Sequence, residues 1–589
     1  NGLVGSEMCI RDSYHVLWIH DFAGVTDGEP DPVTQRVTVE GYLRTLTRRV
    51  RELDATGRLP CFLIFQTQWF YEMNDNRLFL DLLEDPLGHE LDLGDGFEER
   101  EEVVREAQAA LREAVDGSAT LRRLARERGE GFVRDLVRVH VNVTLPADLS
   151  FRSPGLVSFI PFVPDTVMLD HRKLFFYDVT EEDPRKGAAV FTGTGVGSTY
   201  TAPTWEDRGI LVSGPSLLGL KDAARQLLLS QGFDEGEIPG PLRPKTKPAD
   251  YDARVAELEA EGHRARGINV HNEPSYAYKE TTFLQSLLYT LAPPDTMILA
   301  PDSIWANPLW AGQLAEAALR GCHVYVVAAS LENSAAAEAP VMARTRELFA
   351  RLLEVSQVLD EEIAEAGGHL RVGFYTRTAP TGDTLAKVRE TAEGFHVHPF
   401  LLEEFPLPPG TVQMLEEEAA ALEASGYEPV VLATGREGRP RMHRKTQLFA
   451  TREALRALAD DPRTLESLKR QLDARAEVTA HPRSVLEDKT PLGATNVVVR
   501  IAREEPPPGA RDPVYYYTVG SKNQDPRSAF LDGETEYVVA GPAALWLYSD
   551  YMFLMAATTW VDSLEQIDEL VPVTEEKDRH LGRLIRQLI

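Results

Sequence analysis

His171-Arg172-Lys173-Leu174-Phe175-Phe176-Tyr177-Asp178 sets a histidine, a lysine and an aspartate in the spacing H-x-K-x-x-x-x-D around a short apolar run. Four aromatic and aliphatic residues between polar ends read as a buried strand. Alone, the octet also fits a core histidine beside a strand. The triplet recurs, however, as His443-Arg444-Lys445.

Two segments of the chain repeat a similar order of features. In the first, an acidic helical stretch (Glu98 to Gly129) leads into Val137-Arg138-Val139-His140-Val141-Asn142-Val143, then the first triplet, a glycine-rich turn and a strand ending Ser213-Gly214-Pro215. In the second, helical Phe283 to Leu291 leads to Thr296-Met297-Ile298-Leu299-Ala300-Pro301, the helix Leu309 to Arg320 and the strand His323 to Ala329. The second triplet, Gly520-Ser521 and a strand ending Ala540-Gly541-Pro542 follow. Val/Ile/Leu-rich strands alternating with helices mark an α/β chain whose sheets are buried on both faces.

At 589 residues the chain exceeds one hydrophobic core, so two lobes are expected. The proline-dense stretch Pro239 to Pro248 reads as a linker ahead of a charged helix (Tyr251 to Glu261), which sets a boundary near residue 250. The expected organisation is a first lobe over 14–249 and a second over 250–589. Residues 1–13 are set aside: Ser6 to Ser13 resemble a translated sequencing adapter, and a natural start is expected upstream.

A hydrophobic fraction of 43% and 26% charged residues are ordinary globular values. The formal net charge of −30 repels polyanions, which disfavours nucleic acid as a partner. Cys9, Cys61 and Cys322 form no C-x-x-C pair and no disulfide framework, which leans the address toward a reducing cytoplasmic or peripheral-membrane setting. The apolar stretch Ala543 to Trp560, interrupted by Ser549-Asp550-Tyr551, reads as a packed helix rather than a membrane span.

Beyond the second triplet, Gly520-Ser521-Lys522-Asn523-Gln524-Asp525-Pro526-Arg527-Ser528 runs into Glu534 and the strand Tyr537-Val538-Val539. Together with the two triplets and Trp205-Glu206-Asp207, this resembles the phospholipase D superfamily, whose motif is H-x-K-x4-D, then G-S-x-N, R-S and an acidic residue before a strand. The resemblance spans nearly the whole chain. It implies two similar α-β-α sandwich lobes with one active site at their interface. It also implies phosphodiester cleavage or phosphatidyl transfer without a metal or other cofactor.

Breaking a phosphodiester needs a nucleophile, a proton for the leaving alcohol and positive charge beside the phosphoryl oxygens. The resemblance makes His171 the nucleophile, forming a phosphohistidine, and His443 the acid, then the base on water or an acceptor alcohol. Lys173 and Lys445 clamp the phosphate, with Ser521 and the Asn523 amide. Glu534 and Asp207 are placed to hold the histidines' far nitrogens, and Asp178 supports its own loop. For Ser521 and Asn523 the alternative is ordinary turn residues; for the two carboxylates it is solvated strand ends.

The pattern also departs from the family. Five residues past Lys445 comes Ala450 in place of the aspartate, and an insertion over 451–516, a candidate lid, separates it from Gly520. In the first half Gly195 stands where the family has asparagine, with Thr194 or Ser198 as possible hydroxyls. The aromatic runs 68–71 and 159–162 suit either an acyl-chain entrance or the core. The expected substrate is a glycerophospholipid at a membrane surface, handled by a monomer. A superfamily nuclease is the competing enzyme, for which the sequence offers only the basic cluster 436–445, and a non-catalytic lipid- or phosphate-binding module is the third reading.

Overall fold

The computed structural model describes residues 14–19, 43–44, 46–55, 61–67, 85–87, 98–128, 137–142, 170–193, 205–230, 232–260, 266–272, 279–334, 339–376, 441–452, 497–500, 516–530, 532–540, 554 and 558–572. The two aromatic runs, Thr194, Gly195, Ser198, most of the 451–516 insertion and most of the apolar stretch 543–560 lie outside these residues.

In chain order the first strands are β1 (Tyr14–Ile19), β2 (Cys61–Thr67), β3 (Val137–Asn142), β4 (Leu174–Tyr177), β5 (Ala188–Thr192), β6 (Trp205–Glu206), β7 (Arg208–Ser213) and β8 (Arg266–Asn272). They continue with β9 (Thr296–Asp302), β10 (His323–Ala329), β11 (His369–Tyr375), β12 (Arg441–Met442), β13 (Thr446–Thr451), β14 (Val497–Arg500), β15 (Tyr516–Gly520), β16 (Glu534–Ala540) and β17 (Thr558–Trp560). The helices used below are α1 (Glu98–Gly117), α2 (Ala119–Arg128), α3 (Leu218–Ser230), α4 (Tyr251–Ala260), α5 (Glu280–Leu291), α6 (Pro308–Leu319), α7 (Ala339–Val358), α8 (Asp360–Glu365) and α9 (Pro526–Phe530).

The result is a mixed α/β chain with two large mixed sheets among the described residues. One runs β14-β7-β5-β4-β1-β2-β3, the other β17-β11-β10-β9-β13-β15-β16-β8. Both share a plan. From β1 and from β9, two more parallel strands extend to one side (β2, β3; β10, β11). Three antiparallel strands extend to the other (β4, β5, β7; β13, β15, β16). The topological counterpart of β3 is therefore β11, and that of β9 is β1.

The parallel strands β9 and β10 are buried at all seven positions, as their largely apolar sequences require of strands covered on both faces. Trp310 and Leu314 of α6 and Phe349 and Leu352 of α7 pack against Ile298, Val324, Val326 and Phe374 to form this core. Fully burying one such side chain contributes about 1.5–3 kcal/mol. The stretch read as one acidic helix is two, because Ser118 ends α1 and its hydroxyl accepts the Leu121 N–H at 3.2 Å to start α2.

Three segments add detail to the sequence expectation. Gly240, Pro241 and Leu242, within the expected linker, are buried in a 3-10 turn, because the apolar residues between the prolines pack down rather than remain in solvent. Helix α4, beyond the expected boundary, also contacts the preceding segment: Arg254 donates to the Glu182 backbone carbonyl at 3.1 Å, and Glu257 pairs with Arg185 at 3.5 Å. Strand β14, from the 451–516 insertion, adds in parallel to β7 at the edge of the first sheet.

Ala450 also finds its explanation. At Asp178 the chain leaves β4 with a positive φ of 51°, a conformation that aspartate tolerates better than most residues. At Ala450 the chain stays in the ladder, opposite Met297, and β13 continues to Thr451. The methyl group is fully buried there, where a carboxylate would lack solvent.

Candidate active site

Two short backbone pairings between the sheets assemble the candidate site. An isolated parallel bridge joins Asp170 to Gly533, and the His171 N–H donates to the Gly533 carbonyl at 2.8 Å. In the same way β6 pairs with β12, setting Met442 beside Glu206. Each pairing ends one residue before a histidine on one strand and one residue before a carboxylate on the other. The histidines therefore meet carboxylates of the opposite sheet.

His171 Nδ1 lies 3.1 and 3.3 Å from the two oxygens of Glu534. His443 Nδ1 lies 2.7 Å from Asp207 Oδ2. A carboxylate only accepts, so in both rings Nδ1 carries the proton and the Nε2 lone pair is available for chemistry. Neither carboxylate is a solvated strand end, since both are fully buried.

Glu534 is held as an acceptor by its surroundings. Ser521 Oγ accepts the Thr535 N–H at 3.1 Å, and Ser528 Oγ accepts the Asn523 N–H at 3.2 Å, so each hydroxyl hydrogen turns to the glutamate. Ser528 donates to Oε1 at 2.6 Å, and Ser521 donates to Oε2. Burial pushes the Glu534 carboxyl up from its ordinary value, while Lys173 and the two hydroxyls pull it back down. The sequence singled out Ser521 as a phosphate ligand; here its hydroxyl is turned to the carboxylate, and Ser528, quoted only as part of Arg-Ser, is its partner.

The first sheet solves the same problem with less. Thr192 pairs with Gly209 as Gly520 pairs with Glu536, a register that sets Gly193 level with Ser521. A Cβ at Gly193 would lie 2.7 Å from Asp207 Oδ2, so the glycine lets the shorter aspartate approach where Ser521 reaches out to the longer glutamate. Asp207 Oδ1 accepts the Arg208 N–H at 2.7 Å. Gly193→Ala is expected to lower turnover about 10²-fold by displacing Asp207 from His443, with little change in melting temperature. Steady-state kinetics beside a thermal melt check this.

The lysines enter from the same strands. Lys445 Nζ lies 2.8 Å from His443 Nε2 and 3.0 Å from Nδ1, and Lys173 Nζ donates to the His171 carbonyl at 2.9 Å. Since Nδ1 of His443 is already a donor to Asp207, the lysine proton goes to Nε2. The arginine inside the first triplet is structural: Arg172 is fully buried, with Nε and Nη2 on the Asp170 oxygens at 2.7 and 2.5 Å. Lys522 points away from the site, donating to Glu536 at 2.8 Å and to the Thr281 carbonyl at 3.0 Å, and so ties the loop to α5. Asn523 Oδ1 is buried without a hydrogen-bond partner.

Both imidazoles are neutral at pH 7 in this arrangement. Burial first, then the charge of Lys173 and Lys445, holds His171 well below its usual value. Burial and Lys445 push His443 down to about 4, against the pull of Asp207. An anion bound at the lysines cancels the field that depresses both rings, so their pKa values rise on binding. Tungstate binding near pH 6 is therefore expected to take up about one proton. Calorimetry in two buffers of different ionisation enthalpy measures this, and identical heats in both buffers would exclude it.

Among the described residues no group of three or more histidine, cysteine, aspartate or glutamate side chains is arranged to hold a metal, and no helix is long and apolar enough to cross a membrane. No protein-family model matches the chain. No curated protein matches it by sequence. Among solved structures, it is similar to a phosphatidylserine synthase from Haemophilus influenzae Rd KW20, at TM-score 0.42 and 8% identity over 100% of this chain and 93% of that one. It is also similar to a polyphosphate kinase from Porphyromonas gingivalis, at TM-score 0.22 and 9% identity over 56% of this chain and 35% of that one.

Proposed function

We propose that the chain is a phosphodiesterase of the phospholipase D kind, with two similar α-β-α lobes forming one site that hydrolyses or transphosphatidylates glycerophospholipids through a phosphohistidine. The observation that supports this most is the crossed pairing: His171 on Glu534 and His443 on Asp207, each across the two sheets.

In this reading His171 Nε2 attacks phosphorus, and Glu534 stabilises the imidazolium that develops as the Nδ1 proton stays in place. Lys173, Lys445 and the Asn523 amide meet the phosphoryl oxygens. The arriving phosphate draws Lys445 from the His443 ring, and the protonated His443 donates from Nε2 to the leaving alcohol. Water or an acceptor alcohol then gives its proton back to His443 and attacks the phosphohistidine, which restores both rings. The buried setting strengthens each of these charge interactions.

The test is incubation with phosphatidylcholine vesicles and ethanol. Phosphatidylethanol is the expected product, absent with the His171→Asn variant. Equal product from that variant would remove the phosphohistidine, and cleavage of single-stranded DNA with none of lipid would replace the lipid substrate by nucleic acid.

A further inference from the structure

Asp302 is the last residue of β9 and is fully buried. Its backbone forms an antiparallel bridge with Lys445, so the two residues face each other on neighbouring strands. Oδ1 accepts the Ile304 N–H at 3.0 Å, whereas Oδ2 is buried with no hydrogen-bond partner. Buried polar atoms are ordinarily paired, so an orphaned carboxylate oxygen beside a motif lysine calls for an explanation.

Lys445 is the complement of this oddity. Its ammonium is buried and donates only to His443, at 2.8 Å to Nε2 and 3.3 Å to the carbonyl, with no carboxylate at ion-pair distance among the described residues. A buried cation of this kind tends to lose its proton. Among the described residues the first sheet places no acid at the matching position, because the β1–β4 register continued by one residue sets Ile19 level with Lys173.

We propose that Asp302 is a positioning residue for Lys445, its carboxylate supplying the counter-charge that keeps the ammonium protonated and ready for a phosphate. The inference rests on the site being a phosphate site. Four carboxylates act on Lys445, namely Asp207, Asp302, Glu534 and Asp525, with Lys173 and His443 as the cationic and titratable neighbours. Burial drives the Asp302 carboxyl well up and the Lys445 ammonium down, and each opposes the other's loss of charge. Asp302 alone among the four carboxylates bridges the lysine's own backbone.

The experiment is tungstate binding to the full chain by calorimetry at pH 7 and pH 9, since this tetrahedral dianion keeps its charge over that range. Asp302→Asn retains a carbonyl for the Ile304 N–H, and Asp302→Ser retains a hydroxyl, so that either one, if folded, gives the reading. Loss of one carboxylate lowers the lysine's titration, and the expected result is binding weakened about ten-fold more at pH 9 than at pH 7, relative to the unsubstituted chain. Adding Lys445→Arg to Asp302→Asn is expected to remove the extra loss at pH 9, because a guanidinium stays charged. An unchanged ratio between the two pH values in the Asp302 variants, or a loss at pH 9 that persists with arginine, overturns the role of Asp302 while leaving the phosphate site intact. Absence of tungstate binding by the unsubstituted chain overturns the phosphate-site reading itself.

Discussion

His171→Asn is expected to lower phosphodiester turnover by about 10³-fold or more and to abolish covalent trapping, whereas His443→Asn slows turnover but still traps. The difference follows from leaving-group chemistry. A p-nitrophenyl phosphodiester expels an anion that needs no proton, so loss of the general acid spares the first step. Loss of the base still blocks the second. His443→Asn should therefore release a burst of about one nitrophenolate per site and then stall as a phosphoryl adduct, seen by intact-mass measurement after a denaturing quench. His171→Asn should give neither burst nor adduct. A burst from His171→Asn with none from His443→Asn would exchange the two roles.

Glu534→Gln and Asp207→Asn carry the second large effect, about 10² to 10⁴-fold each, and they separate by step rather than by size. An amide in place of Glu534 cannot accept at once from Ser521, Ser528 and His171 Nδ1, so the ring loses the tautomer that leaves Nε2 free to attack. The burst with the p-nitrophenyl substrate should disappear. Asp207→Asn removes the acceptor from His443 instead, so the burst should persist and only the later turnover slow. Pairing of each carboxylate with the histidine of its own sheet would give the opposite pattern, which makes rapid-quench kinetics on these two variants a test of the crossed geometry.

Much of this site was legible in the residues. H-x-K, Gly-Ser-x-Asn and the following acid have fixed local spacing because each is tied to the end of one strand: His171 to β4, His443 to β13, Ser521 to β15, Glu534 to β16. Local spacing could not reveal the other contributors. Gly193 matters only for the room it leaves beside Asp207, and Asp302 sits at the end of an apolar strand with nothing in its neighbours to mark it. Nor could spacing tell that Pro241 and Leu242 pack down, or that Ala450 marks a strand that continues where its counterpart turns at Asp178.

The sequence by itself determined strands such as β4, β9 and β10, the helices α5 and α6 and the doubled triplet, since periodicity and short-range spacing are properties of adjacent residues. The tertiary structure alone decided which carboxylate serves which histidine. His171 and Glu534 are joined by a single bridge between sheets, as are His443 and Asp207 by β6 and β12, and such contacts depend on how two distant chain segments pack rather than on the composition of either. The same holds for the tautomers and for the depressed pKa values of both rings, because burial and the field of two lysines arise only once the sheets meet.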